Sequence, residues 1–299
     1  MTGRFAPSPS GRMHMGNLWS CLLAWLSARS AGGGMVLRLE DLDPDRCRQE
    51  YCDQVMRDLE WLGLDWDGGP VYQSKRTEQY RQAFQSLEQQ GVIYPCFCTR
   101  AERLAASAPH RSDGTAVYDG RCRHLTAAER EETMKTRRPA WRVRTPEQEI
   151  AFTDRLQGGY AENLARDCGD FILRRSDGVY AYQLAVVVDD ADMGVTQVVR
   201  GSDLLSSTPR QLWLQERLGL PHPTYGHLPL LLAPDGRRLA KRDRDLELGW
   251  LQTRFTAPEL VGRLALAARL IDRPQAITPR ELIPLFSWER LPRGDFVWM

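Results

Sequence analysis

The stretch Arg4-Phe5-Ala6-Pro7-Ser8-Pro9-Ser10-Gly11-Arg12-Met13-His14-Met15-Gly16-Asn17 decides how the chain is read. A basic residue, a Pro/Ser/Gly turn run and a His-x-Gly signature stand directly before an apolar, helix-like segment. Such a loop brings backbone N–H groups and an imidazole to a nucleotide's phosphates, with a helix N-terminus behind them. His-x-Gly alone is a weak signal. The whole run is a strong one.

Working outward, Leu18 to Arg29 is apolar and small-residue-rich, which predicts a buried helix. Gly32-Gly33-Gly34 ends it, and Met35 to Leu39 follows as a strand with Glu40 at its end. An earlier strand around Phe5 completes a βαβ unit. Arg48 to Leu62 has helical spacing and stops at Gly63. Thr77 to Gln90 predicts another helix, capped by Thr77. From Ile93 to His124 the pattern is irregular. Ala140 to Arg144 and Ile150 to Arg155 read as short strands. Asp170 to Arg174 and Tyr180 to Val188 read as a hairpin around Ser176-Asp177-Gly178. Gln197 to Arg200 predicts a strand, Arg210 to Leu218 a helix, and His227 to Leu232 a last buried strand before the turn Pro234-Asp235-Gly236. Alternating strands and helices favour an α/β core with one insertion.

At 299 residues, with 42% hydrophobic and 26% charged residues, the chain has the balance of an ordinary globular protein. A formal net charge of +1 excludes a uniformly basic nucleic-acid binder but not a local basic face. The N-terminus has no secretory pattern and no run is long and apolar enough for a membrane span, so a cytoplasmic, membrane-free protein is expected. Seven irregularly spaced cysteines fit reduced thiols better than a disulfide framework. Only three of the 40 basic residues are lysine: Lys75, Lys135 and Lys241. A compact ammonium reaches a phosphate without the planar demands of guanidinium, which singles out Lys241.

Five motifs in order then carry a resemblance: Arg4 to Gly11, His14-Met15-Gly16-Asn17, Leu39-Glu40-Asp41-Leu42-Asp43, Val199-Arg200-Gly201-Ser202-Asp203 and Arg238-Leu239-Ala240-Lys241-Arg242. Together they resemble the catalytic domain of the glutamyl-tRNA synthetases. Only 56 residues follow Asp243, too few for a large anticodon-binding domain. Length and the Cys-rich insertion are similar to the stand-alone glutamyl-Q tRNA(Asp) synthetase family. That likeness implies a Rossmann-like class I synthetase core, α/β, with an inserted zinc-binding subdomain, a short helical C-terminal extension and no anticodon-binding domain. The expected divisions are 1–93, 94–125, 126–253 and 254–299. It further implies ATP-dependent activation of L-glutamate and its transfer to the queuosine base of tRNA(Asp), by a monomer.

Carried over by motif, His14, Gly16, Asn17 and Lys241 belong to the ATP site, with His14 and Lys241 stabilising phosphate charge in the transition state. Gly16 lets adenine approach the backbone. Asn17 stands where the family often has a second His, while Arg238 and Ala240 depart from the usual Lys-Met-Ser-Lys-Ser form. Arg4, Ala6, Ser8, Glu40, Tyr182 and Arg200 match the glutamate-binding positions. Guanidinium forks suit carboxylates, and Glu40 suits the substrate ammonium. Cys96, Cys98, Tyr118 and Cys122 can complete a tetrahedral zinc shell, as in the family's insertion, with His110 and His124 as rival fourth ligands. Mg²⁺ is expected with ATP. The acidic run Asp189-Asp190-Ala191-Asp192 receives no catalytic role. A truncated glutamyl-tRNA(Glu) synthetase and a non-catalytic tRNA- or glutamate-binding module stand as alternatives.

Overall fold

Strand β1 (Thr2–Phe5) pairs in parallel with β2 (Gly34–Leu39), Thr2 opposite Gly34 and Phe5 opposite Leu37. These coordinates are a computed structural model that describes residues 1–99, 117–233, 236–237 and 246–297. β3 (Val71–Tyr72) extends the sheet beyond β2. On the other side of β1 runs β9 (Gln197–Gly201): Thr196 donates its N–H to Thr2 O at 2.9 Å, and Thr2 donates its own to Thr196 Oγ1 at 2.8 Å. β10 (Thr224–Leu228) pairs in parallel with β9. The chain therefore leaves β1 toward β2 on one side and later returns to its other side. Parallel sheets bind ligands where the strand order reverses in this way, outside the carboxyl ends.

The helix Met15–Ser30 crosses between β1 and β2. It begins three residues before the predicted Leu18 because His14 caps it. Leu18, Leu22, Leu23, Trp25 and Leu26 are all buried, for the helix is covered on one side by the sheet and on the other by Leu260, Leu264, Leu282 and Leu291 of the C-terminal segment. Gly33 turns the chain into β2 where a Cβ would run into the Met1 carbonyl oxygen.

A second apolar cluster gathers Tyr80, Phe84, Leu184, Val187 and Trp213 from the helices Thr77–Gln89, Tyr182–Asp192 and Ser207–Leu218. Beside it lie the antiparallel sheet β4 (Ile93–Cys96), β5 (Ala140–Val143) and β8 (Ile172–Arg174), and the hairpin β6 (Glu149–Asp154) with β7 (Gly158–Asn163). β11 (Leu231–Leu232) pairs with β12 (Phe296–Val297). Among the described residues no helix is long and apolar enough to cross a membrane.

Several readings need correction. The turn at Ser176-Asp177-Gly178 exists, with Gly178 at φ +94° and Arg174 bridged to Tyr180, but its second limb becomes a helix at Tyr182. Leu184 to Val188 are all buried, so the run is apolar all round and neither period is visible. Thr77 is the first helical residue and not the cap; Arg76 holds that position without a side-chain bond. Ile93 to Cys96, read as irregular, form β4. The predicted strand His227–Leu232 divides between β10 and β11, and Pro234 and Asp235 lie outside the described residues.

Candidate active site

A cavity of about 570 Å³ opens at the carboxyl ends of β1, β2 and β9. Arg4, Ala6, Ser8, Glu40, Tyr182 and Arg200 line it together with His14, Gly16 and Asn17. These nine residues come from four distant parts of the chain. Lys241, with Arg238 and Ala240, lies outside the described residues. The chain from Glu247 is tied to the loop before the first helix: Glu247 bridges His14, and Leu248 donates its N–H to Met13 O at 2.9 Å.

At the helix start, His14 Nδ1 accepts the Gly16 N–H at 3.1 Å, and Asn17 Oδ1 accepts the His14 N–H at 3.0 Å. This reciprocal cap directs the helix N-terminus, with its partial positive charge, at the cavity. A Cβ on Gly16 would stand 3.1 Å from the His14 ring, so glycine makes room for the capping imidazole. Asn17 thus has a local task that its amide performs through oxygen.

The wall around Arg4, Glu40 and Arg200 is a lattice of buried charge. Arg38 is fully buried; its Nη1 donates to Asp190 Oδ1 at 2.6 Å and its Nη2 to Glu40 Oε1 at 3.2 Å. Arg4 Nε lies 3.4 Å from Asp190 Oδ1, and Arg4 Nη1 donates to Val199 O at 3.3 Å. Burial pushes Glu40 above the usual carboxylate range, against the opposing pull of Arg38 and Arg4. Asp189 collects Gln73 Nε2, Arg76 Nε and the Tyr80 hydroxyl. The acidic run of the sequence is therefore the last turn of the helix Tyr182–Asp192, where it neutralises buried arginines.

Arg200 is held by four groups. Nε donates to His227 Nε2 at 3.0 Å, Nη2 to Thr208 Oγ1 at 2.7 Å and Leu204 O at 3.2 Å, and Nη1 to the Tyr182 hydroxyl at 3.4 Å. Burial holds the Tyr182 phenol above its ordinary range, so it stays protonated and can donate.

Away from this cavity, the Sγ atoms of Cys96, Cys98 and Cys122 lie within 4.8 Å of one another. The Tyr118 oxygen stands 3.5 Å from Cys96 Sγ and 3.6 Å from Cys98 Sγ, and Cys98 and Cys122 sulfurs are 3.5 Å apart. Zn–S bonds of ~2.3 Å in a tetrahedron imply S···S edges of about 3.8 Å, close to these spacings. Hydrogen bonds from Cys122 and Tyr118, with the Arg142 charge, hold the Cys96 thiol down at about 4 despite burial. His124 is exposed and outside the sulfur group, and His110 lies outside the described residues. The donor set fits a thiophilic metal ion.

The catalytic-domain family of class I tRNA synthetases, E and Q type, matches residues 1–263. This chain belongs to that family. The synthetase is similar to the glutamyl-Q tRNA(Asp) synthetase of Symbiobacterium thermophilum, at 51% identity over 98% of this chain and 94% of that protein. The protein of the same name from Nitratidesulfovibrio vulgaris is 50% identical over 99% of this chain and 94% of its own. A glutamate tRNA ligase of Elizabethkingia meningosepticum, solved in complex with its amino acid, superposes with a TM-score of 0.84 at 26% identity. That match covers all of this chain and 67% of the ligase.

Three residues around the site received no reading from the sequence, Arg38, His227 and Asp154, while Asp190 was seen only as part of an acidic run without a partner. Arg38 carried a signal, as one charge inside the apolar run Met35 to Leu39. A lone arginine there must find buried carboxylates. His227 and Asp154 carried none, since each stands within an ordinary strand.

Proposed function

We propose that this synthetase activates L-glutamate with ATP and transfers the glutamyl group to the queuosine base of tRNA(Asp). The observation that carries the reading is near-full-length identity of 51% and 50% to two proteins of that name. The chemistry of the cavity supports it. Arg4 and Arg200 offer guanidinium donors to the two carboxylates, Tyr182 a hydroxyl, and Glu40 a counter-charge for the ammonium. Ala6 and Ser8 shape the wall between them.

In the first step a carboxylate oxygen bonds to the α-phosphorus and the bond to the bridging oxygen breaks, releasing pyrophosphate. The helix N-terminus behind His14 and the ammonium of Lys241 stabilise the charge that gathers on the phosphate oxygens. No protein nucleophile is needed, so catalysis is positioning and electrostatics. In the second step a queuosine hydroxyl attacks the acyl carbon, its proton is released and AMP leaves. Mg²⁺ enters with ATP and is held mainly by phosphates. Cys96, Cys98, Tyr118 and Cys122 would hold one structural zinc, whose role is to tie β4 to residues 118–122. The working state is a cytoplasmic monomer.

Labelled glutamate, ATP and tRNA(Asp) with or without queuosine test the proposal directly. Label is expected on RNA only when queuosine is present. Equal labelling of the unmodified RNA would overturn the acceptor, and absence of glutamate-dependent exchange between pyrophosphate and ATP would overturn the whole reading.

A further inference from the structure

Behind Arg200, outside the cavity wall, stands a buried pair with no task in the chemistry above. His227 is fully buried between β9 and the hairpin β6–β7, and Asp154 is 2% exposed. His227 Nδ1 and Asp154 Oδ2 are 2.6 Å apart. Asp154 Oδ1 accepts the N–H groups of Leu156 and Gln157, both at 2.9 Å, which locks the carboxylate in place. The Tyr225 ring stacks on the imidazole at 6.1 Å with an 8° interplanar angle, and Phe152 packs on it at 6.3 Å.

These contacts set the tautomer. An arginine Nε can only donate, so His227 Nε2, which meets Arg200 Nε at 3.0 Å, must be the acceptor. The proton then sits on Nδ1 and is donated to Asp154. Burial, with the neighbouring Arg200 charge, pushes His227 down to about 4 against the pull of Asp154, which keeps the ring neutral as this arrangement requires.

We infer that Asp154 and His227 are positioning residues that aim the Arg200 guanidinium at the substrate carboxylate. This rests on the glutamate reading of the cavity. His227 holds Nε from behind, while Thr208 and Leu204 hold Nη2. The Nη1 end is left along the cavity wall beside Tyr182. With Nε unheld, the planar fork keeps only its Nη2 bonds and the long Tyr182 contact and can pivot about them, and a guanidinium misplaced by an ångström loses bidentate geometry.

Asp154→Asn is the sharpest test. Asparagine keeps an oxygen for the Leu156 and Gln157 amides but turns an N–H₂ toward His227 Nδ1. That forces the proton onto Nε2, where it meets the Arg200 N–H, donor against donor. Pyrophosphate–ATP exchange is expected to show KM for glutamate raised at least tenfold, with KM for ATP within twofold. The ¹⁵N shifts of His227 should report the exchanged tautomer. His227→Phe keeps the ring packing without an acceptor and should give the same split, whereas His227→Gln, with an acceptor oxygen, should recover most of the loss. Wild-type exchange that fails to depend on glutamate removes the reading of the cavity. Glutamate-dependent wild-type exchange with an unchanged KM for glutamate in both Asp154→Asn and His227→Phe removes the positioning role alone. An equal rise of both KM values, with no rescue by glutamine, would mark a structural defect and also overturn it.

Discussion

The two halves of the cavity are built differently. At the helix start, the side proposed for ATP, His14, Gly16 and Asn17 are neighbours in sequence, joined by cap hydrogen bonds three residues apart or less. On the opposite side, proposed for glutamate, Arg4, Arg38, Glu40 and Arg200 are fixed by partners such as Asp190, Val199 and His227, mostly far away in the chain. A local loop can adjust to an incoming ligand at small cost. A buried lattice of charges cannot, because each unpaired member would carry the full desolvation penalty. Preorganisation is therefore concentrated around Arg4, Glu40 and Arg200, the wall proposed above to hold glutamate.

The largest expected effect breaks the lattice. Arg38→Met leaves Glu40, Asp189 and Asp190 short of a buried cation and should cost about 3–5 kcal/mol, read as a fall in thermal midpoint on the order of 10 °C. A midpoint within two or three degrees (about 1 kcal/mol) of wild type would show that water reaches these carboxylates.

Next comes acidity. An unfolded chain protonates His227 near 6.5, whereas the folded protein refuses the proton until about 4. The stability due to neutral His227 is thus complete above pH 6.5 and is lost as pH falls toward 4, amounting to about 3 kcal/mol. Thermal melts between pH 4 and 7 should fall more gently for His227→Gln than for wild type. Parallel slopes would refute this.

For the other half, the proposed role of Lys241 at the triphosphate predicts that Lys241→Ala slows activation and spares glutamate binding. The exchange rate should drop about a hundredfold, as for loss of one transition-state donor, with KM for glutamate nearly unchanged. A matching rise in that KM would mean the halves are coupled. The smallest effect is Asn17→Ala, which removes one side of the helix cap and should cost about 1 kcal/mol of stability. Its influence should appear in KM for ATP and not in KM for glutamate. Zinc content supplies a control outside both halves: metal analysis should find one ion per chain in wild type and none in Cys98→Ala.

What could be read in advance follows the same division. The βαβ start, the helix after His14 and the strand ending at Glu40 were legible because turn residues and apolar runs are local signals. The sulfur-rich segment was legible because ligand types are few. The helix Tyr182–Asp192 was not, since burial on all sides removes the period that separates helix from strand. Nor were the partners of its carboxylates: Asp190 and Arg38 stand 152 residues apart.

The sequence by itself determined the βαβ start, the turn-rich loop before the first helix and the candidate ligands of both sites. Only the tertiary structure decided which charges are buried together, which way Arg200 is held and what the acidic run at Asp189 to Asp192 is for. The reason is physical: caps and turns act between near neighbours, whereas compensation of buried charge depends on how distant segments meet in a water-poor interior.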